Sequence, residues 1–249
     1  MTSFAGPVAE CKKMTITGAA IASYRSTHGL AAGQFGIKAL SSQTLLLVSD
    51  NLEKHEVLID AALATTTVVA VKYDTWSLDA LWEAIERRVP AGTAFDAVGI
   101  LDHGAPGRFC LLKSVGGGDI DLADLASSDI AAFFKEIGGL VKPGGRIDLL
   151  GCSVAAGPAG RALLAQVEAL TGVTVTASTD TTGGAEGADW IMETHDLQAI
   201  PEYFHADKIG KWKEAANFKL ADEAVTTGFK LAVGVGAAAV GVGIVAAVL

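Results

Sequence analysis

The amino-acid sequence predicts an α/β domain: a mainly parallel sheet held between two layers of helices, α/β/α. Apolar, β-branched runs of strand length recur along the chain, and segments of about 10 to 15 residues with helical apolar spacing lie between them. Composition agrees. Half of the 249 residues are hydrophobic and only 19% are charged, a balance that disordered chains do not have.

Residues 1–40 are rich in Gly, Ala, Ser and Thr without a clear period and read as a poorly specified lead-in. The first strand is QTLLLVSD, 43–50, closed by polar residues. Asp50 or Asn51 is expected to cap the helix that follows, with Leu52, Leu58, Ile59 and Leu63 on its inward side. TTTVVAVKYD, 65–74, is the second strand. Ser77 then caps a helix carrying Leu78, Leu81, Ile85 and Val89, which Pro90 ends. FDAVGIL, 95–101, is the third strand, terminating in Asp102, His103 and Gly104, and RFCLLKS, 108–114, reads as a short extra strand.

A helix from Ser127 or Ser128 places Ile130, Phe133, Phe134, Ile137 and Leu140 on one face and stops at Lys142, Pro143 and two glycines. RIDLL, 146–150, is a strand running into Gly151, Cys152 and Ser153. The next helix presents Leu163, Leu164, Val167 and Leu170 and ends at Gly172. TVTASTD, 174–180, is a further strand, and Trp190, Ile191 and Met192 suggest a last one. The α/β/α domain is thus expected over 41–200, with 201–230 as a linker or helical segment and an apolar tail over 231–249.

That tail has no charged or polar side chain after Lys230. Nineteen apolar residues approach the roughly 20 needed to cross a bilayer, and Ala239, Gly243 and Ala247 form a small-xxx-small row suited to close helix pairing. Residues 231–249 are therefore a candidate membrane contact, the alternatives being a buried element or an aggregating tail.

Charge sets nucleic acid aside as a partner. The chain holds 19 Lys and Arg against 28 Asp and Glu, the opposite of what a phosphate backbone requires. Cys11, Cys110 and Cys152 form no CxxC pair, which argues against a disulfide framework and against zinc. The acids of GGGDIDLAD lack the alternation of a calcium loop, so no metal and no cofactor are expected. With no signal-peptide core at the N-terminus, a cytoplasmic location is expected, with membrane association through the tail.

His103 and Cys152 fall at the C-terminal ends of two predicted strands separated by a single helix. Open α/β sheets place their chemistry there, and neighbouring strands lie only about 4.8 Å apart. An imidazole within reach of a thiol takes its proton during attack and returns it to the leaving amine. Gly104, lacking a Cβ, lets a substrate carbonyl approach its N–H. Together with the Cys152 N–H it would form an oxyanion hole, where each donor is typically worth a factor of about 100 to 1,000 in rate. Asp148 and Asp180 are candidates to present a carboxylate to a basic substrate side chain, though strand-end and turn-capping roles explain them equally. Asp102, next to His103 along the strand, should point away from the imidazole. Cys110 is expected to be inert, and His28, His55, His195 and His205 are expected to lie outside the site.

His-Gly after one strand and Gly-Cys after the next, 49 residues apart, resembles the caspase-like cysteine peptidases of clan CD, such as caspases, separases, gingipains and clostripain. The order HGAPG, LLGCSVAAGPAG, TASTDTTGG and GADW is similar to an uncharacterised bacterial domain found in large cadherin-repeat and adhesin-like surface proteins, over roughly 43–193. The resemblance implies a caspase-like fold, His103 as the base and Cys152 as the nucleophile. The expected activity is hydrolysis of peptide bonds in a protein or peptide substrate through a Cys152 acyl-enzyme. The alternatives are a catalytically idle binding or assembly module, and a membrane-associated effector acting through its tail.

Overall fold

All six residues of β1 (Thr44–Ser49) are buried. Side chains alternate across a strand, so an apolar run of this kind needs cover on both faces. Leu45 and Leu47 enter one core cluster, Leu46 and Val48 the other. This is the arrangement in a computed structural model, which describes residues 42–217.

After β1 come α1 (His55–Ala61), β2 (Thr66–Val71), α2 (Leu78–Arg88) and β3 (Phe95–Leu101). Three short strands follow, β4 (Gly104–Ala105), β5 (Arg108–Cys110) and β6 (Asp119–Asp121), then α3 (Ser128–Gly139), β7 (Val141–Leu149), α4 (Gly157–Thr171) and β8 (Thr174–Ala177). The chain continues through β9 (Ile191–Met192), β10 (Leu197–Gln198), α5 (Ala199–Tyr203) and α6 (Ala206–Ile209). The central sheet has the order β2-β1-β3-β7-β8, and every neighbouring pair in it is parallel.

One face is covered by α2, α3 and α4, whose Leu81, Phe134 and Leu163 share a core with Val98 and Ile147. The other is covered by α1, α5 and α6, with Leu58, Tyr203 and Ile209 against Ala97 and Leu101. The fold is the predicted three-layer α/β/α sandwich. Ser77 caps α2 by accepting from the Ala80 N–H at 3.3 Å, and Gly172 ends α4 in the left-handed region at φ 73°, both as the sequence indicates.

Several boundaries differ. Asp50 and Asn51 do not cap α1, which starts at His55 behind a left-handed Lys54; Asp50 instead accepts the Tyr73 N–H at 2.9 Å. The extra strand is shorter than 108–114 and lies in an antiparallel sheet β4-β5-β6. The Lys-Pro-Gly-Gly expected as a stop is the start of β7, accommodated by a register shift opposite Phe95 and Ala97. β9 pairs with β10 as a small hairpin rather than joining the main sheet.

The domain also runs past residue 200. Tyr203, Phe204, Ile209, Trp212 and Ala216 are buried in the second core, and of the two readings of 201–230 the helical one holds over the end of α5 and over α6. The helices that carry this apolar surface have five and four residues, too short for a periodic pattern to show. The lead-in before residue 42, the remainder of the proposed linker and the apolar stretch 231–249 lie outside the described residues. Among the described residues no helix is long and apolar enough to cross a membrane.

Candidate active site

β1 and β3 are neighbours in the sheet, yet the helices that follow them, α1 and α3, lie on opposite faces. Such a switch point opens a crevice at the carboxyl ends of the strands. The sequence-predicted His103 and Cys152 both stand at this edge, past the ends of β3 and β7.

His103 is buried, and its Nε2 lies 3.2 Å from the carbonyl oxygen of Asn51, in the turn after β1. A carbonyl only accepts, so this nitrogen carries the hydrogen and Nδ1 is the basic atom of the neutral ring. Asp102 is held through one oxygen: its Oδ1 accepts the His103 backbone N–H at 2.7 Å and the Asn51 Nδ2 at 3.2 Å. It therefore ties the turn after β1, at Asn51, to the backbone at His103.

Burial pushes the Asp102 carboxyl up to about 7, against Ser49, the His103 amide and Asn51, which all favour its charged form. The native state thus keeps a proton that the unfolded chain releases near its ordinary value of 3.8. Stability then falls as pH rises from about 4 through about 7. In Asp102→Asn that dependence should be removed. The unfolding free energy of the variant relative to wild type is expected to rise by roughly 1 to 3 kcal/mol between pH 4 and pH 8; parallel denaturation curves at both pH values would refute the assignment.

Cys152 is 3% exposed. Its thiol donates to the Thr182 carbonyl at 3.4 Å, and the sulfur accepts the Thr182 N–H at 3.2 Å. Burial pushes the thiol up to about 11, opposed by the amides of Thr182 and Ala216, with the charge of Asp180 adding to the rise. The resting group is a neutral thiol that needs a base during attack. Ser153, directly after it, adopts a left-handed φ of 58°, turning the chain sharply as it leaves the sheet; such positions are costly for a non-glycine residue.

The amides of Gly104 and Cys152 converge. Both donate to one oxygen, the carbonyl of Ala216, at 2.9 and 3.0 Å. Glycine is required at 104 because a Cβ there would lie 2.6 Å from Val154 Cγ2 and 2.8 Å from the Cys152 carbonyl oxygen.

The two candidate carboxylates separate. Asp148 is not a substrate-binding group: it sits within β7, fully buried, accepting from Arg146 Nε at 3.1 Å and Thr176 Oγ1 at 2.6 Å. The Tyr203 hydroxyl is its third donor, at 2.5 Å. Its place one residue before the strand end, on the face covered by α5, commits it to the core. Asp180 is exposed, and its backbone carbonyl accepts the Ser153 N–H at 2.6 Å, so it remains beside the loop that holds Cys152. Its carboxylate oxygen lies within 4.8 Å of those of Asp189 and Glu193, also exposed. Cys110 is buried, with its N–H on the His103 carbonyl at 2.8 Å. Cys11 and His28 lie outside the described residues.

Asn51, Thr182 and Ala216 were not visible as site residues in the sequence. Only the glycine pair after Thr182 carried a signal, since adjacent glycines mark places where another backbone comes close.

A family model for a domain of unknown function, DUF4347, matches residues 45–215. The chain belongs to that family. The DUF4347 span includes His103, Gly104, Cys152 and Thr182 and reaches Ala215, the residue before the carbonyl held by the two amides. No curated protein matches the chain. Among solved structures, a short chain dehydrogenase family protein from Francisella tularensis subsp. tularensis SCHU S4 aligns at 15% identity over 52% of this chain and 60% of that one, with a TM-score of 0.27. The match spans less than two thirds of that protein, and a likeness this low carries no argument about the DUF4347 domain.

Proposed function

We propose that this DUF4347 domain is a cysteine peptidase of the caspase-like kind, with Cys152 as nucleophile and His103 as general acid and base. The observation that carries the reading is the convergence of the Gly104 and Cys152 amides on a single carbonyl oxygen beside the thiol. Two N–H groups at hydrogen-bond distance from one oxygen are the arrangement that stabilises the oxyanion of acyl transfer. The ring of His103, its tautomer set by Asn51, stands at the next strand end with its basic nitrogen as the proton acceptor. A protein or peptide is the substrate class, because backbone groups of Thr182 and Gly184 pair with an extended chain there.

The competing reading is a binding module, favoured by the buried neutral thiol and by the chain segment lying in the cleft. Ala216 is fully buried, so Ala216→Arg should expel that segment and open the cleft. In this variant a Glu-Ala-Ala acyloxymethyl ketone should label Cys152, and adding His103→Ala should slow labelling by about 100-fold, the scale of a lost general base. Absence of labelling, or labelling indifferent to His103, would leave the binding module.

A further inference from the structure

The segment over 212–217 crosses the candidate site and pairs with its rim through single bridges at Ala215 and Asn217. The Glu214 carbonyl accepts from the amides of Gly184 and Ala185 at 2.9 and 3.1 Å, and the Ala216 N–H donates to the Thr182 carbonyl at 3.0 Å. Ala215 pairs antiparallel with Gly183 and Asn217 pairs parallel with Gly104. The two pairings bracket the Ala216 carbonyl, whose oxygen is the one held by the amides of Gly104 and Cys152. Strand addition of this type gives affinity through the main chain and leaves selectivity to side-chain pockets. Here the pocket encloses Ala216 completely and belongs to a core containing Trp190 and Trp212.

The fit is close. A Cβ on Gly184 would lie 1.9 Å from the Trp212 carbonyl oxygen, and one on Gly183 would lie 2.5 Å from that of Glu214. A peptide carbonyl in an oxyanion hole, with its own N–H and the carbonyl two residues earlier both paired, is in the register of a substrate and not of a random cap.

We propose that the domain cleaves its own chain between Ala216 and Asn217. The inference rests on the peptidase reading and names its substrate: a bond following a small residue, presented in cis. His103 Nδ1 takes the thiol proton as Cys152 Sγ attacks the Ala216 carbonyl carbon, and the developing oxyanion is held by the Gly104 and Cys152 amides. The bond to the Asn217 nitrogen breaks, that nitrogen receives the proton from His103 as a new amine, and Ala216 is left as a thioester on Cys152. Water, its proton taken by His103, then releases Ala216 as a carboxylate and restores the thiol. The products are residues 1–216 and residues 217–249, the second carrying the uncharged stretch 231–249. Separation of that stretch from the domain is the consequence.

The test is intact-mass analysis of the purified full chain over time. Wild type should yield fragments whose masses are those of 1–216 and 217–249, together exceeding the intact chain by one water. Cys152→Ala and Cys152→Ser should both lose them, and His103→Ala should slow their appearance by about 100-fold. Gly184→Val, which displaces the strand, should reduce cleavage as well. An intact wild type, when the Ala216→Arg variant is labelled at Cys152 by the ketone, overturns self-cleavage and leaves the peptidase. An intact wild type with no labelling overturns both. Cleavage that persists in both Cys152 variants assigns it to another enzyme and overturns the proposal.

Discussion

An alanine at position 104 should lower turnover by about 100- to 1,000-fold, the scale of one lost oxyanion donor. The measurement is kcat on a Glu-Ala-Ala peptide amide, in the Ala216→Arg chain once ketone labelling of Cys152 has shown its cleft to be open. The added Cβ would come within 2.6 Å of Val154 Cγ2, 2.8 Å of the Cys152 carbonyl oxygen and 3.0 Å of the Gly151 carbonyl carbon. A valine methyl can turn aside. The backbone at 151 and 152 cannot, because the Leu150 N–H is fixed to the Ile100 carbonyl at 2.8 Å and the Thr182 hydroxyl donates to the Gly151 carbonyl at 3.2 Å. The strain is relieved only if residue 104 moves away from Cys152, which separates the two amides that share one oxygen. Adding Val154→Ala removes the first contact and not the second, so the double variant should stay slow. Recovery of full turnover in it would show that the clash with valine, and not the amide, was what the glycine avoids.

The sheet was legible because its strands are buried on both faces. β1 and β3 are near-continuous apolar runs, and a run of that kind fixes both the strand and the need for helices on each side. The positions of His103 and Cys152 followed, since each stands where such a run ends. What was hidden depends on partners distant in the chain. The segment KWKEAAN over 211–217 has no apolar period of either kind; it is ordered by pairing with Thr182, Gly183 and Gly184 on one side and Gly104 on the other. Asn51 reads as a helix cap by residue type. Its backbone carbonyl, which no residue type distinguishes, is what meets His103. β7 is longer than its apolar run because Lys142, Pro143 and the two glycines, which by residue type end the preceding helix, enter the strand's start through the register shift opposite Phe95, where proline is tolerated.

Asp148 lies in the core and not at the crevice, and the reason gives the largest expected loss of stability. On paper it shares a strand face with Leu150 and Cys152, so a carboxylate near the crevice was reasonable. In the fold that face is closed by α5, and the carboxylate is held by Arg146, Thr176 and the Tyr203 hydroxyl. Thr176 and Tyr203 are themselves fully buried, and burial together with the Asp148 charge raises the Tyr203 pKa, keeping its hydroxyl protonated as the donor. Asp148→Ala should therefore cost about 3 to 5 kcal/mol in urea unfolding, because it orphans two buried hydroxyls and half of the Arg146 pairing. Arg146 would keep Glu202, at 2.9 Å. Removing the orphans should recover much of the loss: Asp148→Ala with Thr176→Val and Tyr203→Phe leaves no buried hydroxyl without a partner. The cluster also anchors the root of the segment that enters the cleft, since Glu202 and Tyr203 both belong to α5, upstream of α6 and the strand over 212–217. Cleavage after Ala216 should consequently fall in Asp148→Ala and return in the triple variant, in step with stability. A single variant as stable as wild type would show that apolar contacts alone hold α5 to the sheet and that the polar cluster does not govern the strand's seating.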